Sequence, residues 1–385
     1  MSNSIDVAAQ GSSLPPYTIT EFPLPTCLQC TAEGGHACVG PAGLTFGPDG
    51  NLWFGMQIGP DGNGGIARMA PDGTGYTVYT EGLEKGSSVI DLALGADGNL
   101  WFADFGRRAI GRMTFDGVIT RFEELTPGKT MLPPGHLANS LSAETISFPY
   151  EIVSASGDLW YTVQDVYAGT FPNLLTGYVG RFSPSDPTGS LQTYPLEGMP
   201  SGIVESPEGG VWVIHFHRWT DKKGGGITRI TASGEVTTYP LPNPERDDPL
   251  MADYGYALTT AELTLGPDGN IWFTQEWCPL IGRFSPDSGA FDYFPLGDSS
   301  FPTHPTMLVT ARDGYIYVND DGPAALAPLE GAVYRLWRIA TDGTATFIDG
   351  PAARGGLWPL TEAPNGDLWF AHRFGDVIGR LTIPD

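Results

Sequence analysis

The chain has 385 residues and a formal net charge of −24, since 44 aspartates and glutamates outnumber 20 lysines and arginines. This acidity argues against nucleic acid and against a membrane as partners, and no apolar stretch approaches the roughly 18 residues that cross a bilayer. The 52 glycines and 34 prolines instead suit many short strands joined by tight turns.

Three segments precede the first repeat of the sequence. Residues 1–18 are predicted to form an N-terminal tail, residues 19–25 ("ITEFPLP") a β-strand, and residues 26–40 a cysteine-rich loop. The opening residues lack the apolar core of a signal peptide, so they do not predict secretion by themselves.

From residue 41 onward one unit recurs seven times, at a period of roughly 40–50 residues. A unit consists of an apolar run, an Asp-Gly turn, a strand such as "NLWF", an "IGR" strand and a strand such as "TTYPL". Asp-Gly dipeptides between apolar runs mark tight hairpins, and four strands per unit are typical of a propeller blade. The sequence therefore predicts an all-β, seven-bladed β-propeller, with residues 1–385 in a single domain.

An aromatic residue anchors each unit at the same place, and these anchors are Trp53, Trp101, Trp160, Trp212, Trp272, Tyr317 and Trp369. We expect them to pack between blades rather than to bind a ligand, because an aromatic side chain buries a large area at each blade contact.

The last unit has three strands and ends with "VIGRLTIPD". The strand at residues 19–25 resembles "VTTYPLP" at residues 236–242, which is the fourth strand of an earlier unit. We therefore predict that the N-terminal strand completes the last blade and leaves no open sheet edge there.

Long insertions interrupt the repeat at residues 126–149, 164–177, 216–226, 243–260 and 320–333. In the alternating connections of a propeller, all five are predicted to lie on one face. Long loops on a rigid scaffold usually carry the functional site, so this is the predicted working face.

Two sets of side chains are predicted to point toward that face near the propeller axis. The first set begins each inner strand: Ala42, Ile90, Tyr150, Ser201, Ala261, Thr306 and Trp358. The second set follows each "WF"-type pair by two residues: Met56, Asp104, Val163, His215, Gln275, Asp320 and His372. Together with Phe105, Glu276 and Trp277 from the adjoining loops, they predict a mixed pocket for a small, largely apolar ligand.

Within this pocket we assign three predicted catalytic residues, His215, His372 and Gln275. The predicted substrate-binding residues are Trp358, Tyr150, Phe105, Trp277, Met56, Asp104 and Asp320. For both histidines the alternative is a satisfied polar residue at the end of a strand.

Four cysteines, Cys27, Cys30, Cys38 and Cys278, fall in predicted loops of the working face. Two disulfides would imply an oxidising compartment, and hence a secreted or secretory-pathway protein. A zinc site and free thiols in a cytoplasmic protein are the alternatives, and four cysteines permit three pairings among which the sequence does not choose.

The repeated phrases "GPDGNIWFTQE", "LIGR" and "VTTYPLP" resemble the virginiamycin B lyase family of seven-bladed propellers, over residues 19–383. The resemblance implies a lyase that opens a cyclic depsipeptide by elimination, with Mg²⁺, a histidine in an inner strand and a glutamate in the "WFTE" position. In the best-matching unit Ala261 and Gln275 occupy these two positions. We therefore predict no metal ligand and no cofactor.

The chain is also similar to the hetero-Diels–Alderases of fungal tropolone–sesquiterpene pathways. Such a coupling needs two apolar reactants held in register, and orientation alone supplies roughly 7–11 kcal/mol of the barrier. The sequence therefore favours a hetero-Diels–Alder enzyme of secondary metabolism, a monomer that binds small-molecule substrates. A Mg²⁺-dependent lyase and a non-enzymatic propeller that binds a ligand or peptide are the alternatives.

Overall fold

The structure is a computed structural model that describes the backbone of most of the chain. The described residues are 3–7, 9–10, 17–25, 40–57, 64–126, 145–167, 175–216, 225–242, 259–276, 280–297, 303–320, 335–350, 357–372 and 376–384. They contain 30 β-strands and one short 3₁₀ helix, grouped in seven sheets. This confirms the predicted all-β, seven-bladed β-propeller.

Three strands precede the first complete blade, and blades 1 and 2 follow them. The N-terminal strands are β1 Asn3–Val7, β2 Ala9–Gln10 and β3 Tyr17–Pro23. Blade 1 consists of β4 Pro41–Phe46, β5 Leu52–Met56, β6 Gly65–Met69 and β7 Thr77–Tyr79. Blade 2 consists of β8 Val89–Leu94, β9 Leu100–Asp104, β10 Ala109–Met113 and β11 Ile119–Phe122, and the 3₁₀ helix Glu123–Leu125 follows it.

Blades 3 to 5 repeat this order of four antiparallel strands. Blade 3 consists of β12 Thr145–Ala155, β13 Asp158–Tyr167, β14 Leu175–Phe182 and β15 Gln192–Leu196. Blade 4 consists of β16 Met199–Glu205, β17 Gly210–Phe216, β18 Gly226–Thr231 and β19 Val236–Pro240. Blade 5 consists of β20 Thr259–Leu265, β21 Ile271–Glu276, β22 Leu280–Phe284 and β23 Phe291–Pro295.

Blades 6 and 7 complete the set. Blade 6 consists of β24 Pro305–Thr310, β25 Ile316–Asp320, β26 Arg335–Ile339 and β27 Ala345–Asp349. Blade 7 consists of β28 Leu357–Glu362, β29 Leu368–His372 and β30 Val377–Thr382, with β3 as its fourth strand.

The chain divides into two compact units, one formed by residues 1–91 and 261–385 and the other by residues 92–260.

The N-terminal strand closes the last blade, as predicted. β3 pairs antiparallel with β30, from Thr18 opposite Thr382 to Pro23 opposite Val377, and Phe22 of β3 stacks on Trp369 at 5.3 Å between ring centroids. The strand begins at Tyr17, two residues before the predicted start, and ends at Pro23.

The segment predicted to be an N-terminal tail contains two more strands. β1 pairs with β3, and β2 pairs with β27 of blade 6, so these two sheets have five strands each. An outer strand that bears no partner exposes a row of backbone donors and acceptors. Pairing with the edges of β3 and β27 orders the N-terminal segment, although that segment has no apolar repeat of its own.

In blades 1, 2 and 5 the repeated motifs meet at the anchor tryptophan, as Trp272 illustrates. Its indole N–H donates to Asp268 of the Asp-Gly turn at 3.0 Å. One ring face stacks on Phe294 of the fourth strand at 5.3 Å, and the guanidinium of Arg283, from the "IGR" strand, lies 5.5 Å from the ring centroid. One aromatic residue thus joins the turn, the third strand and the fourth strand.

The glycine of the "IGR" motif is required by the aromatic residue that follows the tryptophan. A Cβ atom on Gly282 would lie 2.0 Å from the ring of Phe273. The tryptophans also contact the next blade, since Trp101 lies 4.9 Å from Phe182 between ring centroids. This contact confirms the predicted packing between blades.

The inner strands of five blades carry a β-bulge near their first residues. A bulge adds one unpaired residue and turns the local side chains. In blade 3 the N–H of Glu151 at the bulge donates to Thr162 Oγ1 at 3.0 Å, and in blade 6 the N–H of Met307 donates to Asn319 Oδ1 at 2.6 Å. Side chains of the second strand therefore satisfy backbone groups that the sheet leaves unpaired.

Part of the insertions predicted as loops is strand. In blade 3, β12 begins at Thr145 and β13 extends to Tyr167, so 145–149 and 164–167 are paired strand residues. Both stretches are rich in β-branched and aromatic residues, which favour extended backbone.

Candidate functional site

The residues that follow each "WF"-type pair by two positions contact the outer strands of their own blades. Asp320 is 1% exposed, and its carboxylate accepts the backbone N–H of His304 at 2.7 Å and the indole N–H of Trp337 at 2.9 Å. The predicted substrate-binding residue Asp320 thus fixes the segment that leads into blade 6 and also bonds to the third strand of that blade.

Asp104 in blade 2, like Asp320 in blade 6, accepts a hydrogen bond from the backbone of a neighbouring segment. Its carboxylate accepts the N–H of Arg107 at 3.0 Å and lies 3.8 Å from Nε of Arg121 on the fourth strand. Met56 is fully buried in the core of blade 1, where the hydroxyl of Tyr76 lies 3.8 Å from its sulfur. Their predicted contact with a substrate stays a prediction.

The two predicted catalytic histidines lie in different units and have different partners. His215 is 2% exposed, and its Nε2 lies 3.0 Å from the hydroxyl of Thr228 on the next strand. His372 is also buried, and its Nε2 lies 3.4 Å from the carboxylate of Glu21 on the N-terminal strand. The group beside His372 is thus a carboxylate, whereas the group beside His215 is an uncharged hydroxyl.

Gln275, the third predicted catalytic residue, is fully buried. Within the described part of the chain neither its Oε1 nor its Nε2 has a hydrogen-bond partner. Leaving a buried amide group unpaired costs about 1–3 kcal/mol. Such a group is therefore a place where an additional hydrogen-bonding molecule gains free energy by binding.

The backbone around Gln275 is fixed by its neighbour Thr274. The Thr274 hydroxyl donates to the carbonyl of Thr306 in blade 6 at 2.7 Å and accepts the N–H of Glu262 at 3.1 Å. Glu262 is 6% exposed, and its carboxylate accepts the N–H of Leu263 at 2.9 Å. The amide of Gln275 is thus presented from a rigid strand rather than from a loop.

Two predicted substrate-binding aromatic residues lie in the second unit. Phe105 stacks on Phe148 with 4.6 Å between ring centroids and an interplanar angle of 19°. Tyr150 is partly exposed at the bulge of β12. Phe148, which the sequence analysis did not single out, lies inside the predicted loop 126–149, and its aromatic character is the signal that marks it.

Several predicted site residues lie outside what the structure describes. The backbone of Trp358 belongs to β28 and that of Glu276 to β21, but their side chains are not described. Trp277 and the predicted disulfide cysteines, Cys27, Cys30, Cys38 and Cys278, also lie outside the described residues. Their roles stay predictions.

A polar cluster in blade 3 is a feature that the sequence analysis did not identify. The hydroxyl of Ser147 donates to Oδ1 of Asp165 at 2.5 Å, across a directly paired position of β12 and β13. Burial raises the pKa of Asp165, and the Ser147 hydrogen bond opposes that rise. Burial, and then the charge of Asp165, raise the pKa of Tyr178.

The residues present do not fit the Mg²⁺ site that the family resemblance implies. The described residues contain no group of three or more histidine, cysteine, aspartate or glutamate side chains placed to hold a metal ion. At the positions of the histidine and the glutamate that the resemblance implies lie Ala261, which has no donor atom, and Gln275, whose amide is neutral. Hard divalent cations prefer carboxylate oxygens.

A family model and a curated relative both match this chain, and they belong to the same family. The virginiamycin B lyase family matches residues 32–246. A "Virginiamycin B lyase" of Nocardia farcinica (strain IFM 10152) is 31% identical over 278 residues, which cover 72% of this chain and 76% of that protein.

Solved structures show the same fold. A streptogramin B lyase structure matches with a TM-score of 0.65 and 20% identity, over 96% of this chain and 98% of that chain. A catalytically inactive histidine-to-alanine variant of the Staphylococcus aureus virginiamycin B lyase, solved with quinupristin, matches with a TM-score of 0.65 and 21% identity over 96% of this chain and 100% of that chain.

Within the described residues, no helix has the length and apolar character needed to cross a membrane.

Proposed function

Because the chain belongs to the virginiamycin B lyase family, we propose that it is a carbon–oxygen lyase that opens a macrocyclic ester by elimination. Membership of the family supports the lyase class, and the buried amide of Gln275 is the observation that carries the proposal. That amide lies in the "WFTQE" phrase, the part of the sequence most similar to the family pattern.

The reaction needs a base and a hydrogen-bond donor. The base removes a proton from the carbon next to a carbonyl group, and the C–H electron pair forms a new C=C bond. The ester C–O bond breaks, and its electron pair leaves with the departing carboxylate. Negative charge grows on the carbonyl oxygen, where Nε2–H of Gln275 would donate a hydrogen bond, an effect worth roughly 3–4 kcal/mol per donor.

His372 is the base of this proposal, as a predicted catalytic residue in the same unit as Gln275. The Glu21 carboxylate, 3.4 Å from Nε2, would hold the ring in one orientation and stabilise the charge that the ring gains with the proton. Gln275, His372 and Glu21 act in this proposal without a metal ion, since Ala261 and Gln275 occupy the positions of the histidine and the glutamate that the resemblance implies.

The test uses quinupristin, the compound present with the Staphylococcus aureus relative. Elimination yields an opened isomer of unchanged mass with a new C=C bond, whereas hydrolysis adds one water, so chromatography with mass detection separates the two. Gln275→Leu should lower the rate about 10²-fold. Gln192→Leu, which changes an exposed glutamine on the outer strand of blade 3, is the matched control and should leave the rate unchanged.

Two results would contradict the proposal. One is hydrolysis, or no opening, of every macrocyclic ester supplied to the wild-type chain. The other is a Gln275→Leu variant that opens the ring at the wild-type rate.

A hetero-Diels–Alder coupling is the second candidate function, although the comparisons do not support it. The observation that favours it is the neutral amide of Gln275, because a cycloaddition needs a donor to a carbonyl oxygen and no base. In that case Gln275→Leu would slow the coupling, whereas His372→Ala would leave it unchanged. In the lyase His372→Ala would remove most of the activity.

A further inference from the structure

Asp165 is a buried carboxylate for which the described residues supply no positive charge. Its exposed fraction is 9%, and its hydrogen-bond donor is the neutral hydroxyl of Ser147. The influences on its pKa are burial and that hydrogen bond, with no arginine, lysine or histidine of the described residues among them. Buried charges in proteins are ordinarily paired with an opposite charge.

The phenol of Tyr178 lies beside this carboxylate. Its hydroxyl is buried and has no hydrogen-bond partner among the described residues. Tyr178 pairs directly with Val163 on β13, two residues before Asp165, so side-chain alternation puts both groups on the same face of the sheet. The effect of the Asp165 charge on the tyrosine pKa is consistent with this proximity.

An ammonium group matches what both side chains lack. It carries the missing positive charge and three N–H donors, and it accepts no hydrogen bond. The carboxylate of Asp165 accepts one N–H and the oxygen of Tyr178 accepts another, and charge-assisted hydrogen bonds of this kind are the stronger ones. The formal charge of −24 also draws cations to the protein.

We propose that Asp165, Tyr178 and Ser147 of blade 3 form a binding site for the ammonium group of a small organic amine. Asp165 and Tyr178 bind the ligand, and Ser147 positions the carboxylate. The site lies wholly in the second unit and does not rest on the proposed lyase activity.

The test uses ethanolamine as the probe and the full chain. Calorimetric titration above pH 8 should show saturable binding of ethanolamine and none of ethylene glycol at the same concentration. Asp165→Asn should weaken binding roughly tenfold to a hundredfold, and Tyr178→Phe about tenfold. Asp186→Asn, an exposed aspartate of the same blade, is the control and should bind as the wild type does.

The affinity should also depend on pH in one direction. Burial raises the pKa of Asp165, so its carboxylate takes up a proton at a higher pH than an exposed aspartate does. Amine binding requires the ionised form, and affinity therefore falls as the pH falls through this raised pKa. The Asp165→Asn variant should lack this dependence.

Three results would overturn the proposal. The first is equal heat from ethanolamine and from sodium chloride at the same ionic strength, which would indicate a general salt effect. The second is unchanged affinity in Asp165→Asn. The third is ethanolamine binding by Lys129→Gln but not by the wild type. Lys129 belongs to the predicted loop 126–149, outside the described residues, and this result would show that it supplies the charge.

Discussion

Asp320 and Gln275 occupy the same position of the repeat in neighbouring blades of one unit, yet they are used differently. Both side chains are buried, at 1% and 0% exposure. The carboxylate of Asp320 accepts two N–H groups of its own blade, whereas the amide of Gln275 has no partner within the described residues. A satisfied polar residue stabilises the fold, and an unsatisfied one is available to a ligand.

The largest expected effect is on the stability of blade 6. Asp320→Ala removes the acceptor of two buried N–H groups and should lower the free energy of unfolding by about 2–4 kcal/mol. Urea denaturation followed by tryptophan fluorescence measures it. Asp287→Ala, at an exposed aspartate of blade 5, is the control, and an Asp320→Ala variant no less stable than this control would break the comparison.

Thr274→Val should have a smaller effect. It removes the hydrogen bonds to Glu262 and to Thr306 at nearly constant volume, and should lower the free energy of unfolding by about 1–2 kcal/mol. Thr162→Val removes the equivalent bond to Glu151 in blade 3 and should cost less, because within the described residues Thr162 makes no hydrogen bond to the neighbouring blade. Equal losses in the same urea experiment would show that the bond to Thr306 contributes nothing.

Gln275→Leu should leave stability unchanged or raise it by up to about 1 kcal/mol, because it removes a buried amide that has no described partner. The same urea titration measures this change, with Asp320→Ala as the contrasting variant. A loss as large as that of Asp320→Ala would mean that the amide is bonded within the protein, and the contrast between the two residues would disappear.

The smallest expected effect is that of chelation, which we expect to leave the rate of ring opening unchanged. With Ala261 and Gln275 at the positions where the family resemblance requires histidine and glutamate, ring opening should proceed at an equal rate with and without EDTA. Loss of activity on chelation, restored by Mg²⁺, would instead show that other residues of this chain hold the metal ion.

The fold could be predicted from the sequence because the same strand and turn pattern recurs from blade to blade. The turn aspartate, tryptophan and arginine of blade 5 meet at one indole ring, and each of them is visible as a repeated letter. The pairing of β1 and β2 with two outer edges could not be predicted, since it depends on which edges remain open rather than on the tail's own pattern.

The directions of the site side chains were harder to predict. Gln275 lies two residues after Phe273, so it shares the face on which Phe273 packs over Gly282. Side chains of a strand point alternately to the two faces of the sheet. A residue that lies near the propeller axis therefore need not point toward the axis. The pairing of Ser147 with Asp165 depends on the register of two strands that join across a bulge, which the sequence does not reveal.

The strand that closes blade 7 also constrains the order of events during synthesis. β3 leaves the ribosome before the blades that separate it in sequence from its partner β30, so that this pairing joins residues 18–23 to residues 377–382. Non-local pairings form slowly, and unpaired strand edges on incomplete chains promote aggregation. The pairing of β1 with β3 is local and needs no later residue, so a nascent chain can cover one edge of β3 early, while the other edge stays unpaired until β30 has been synthesised.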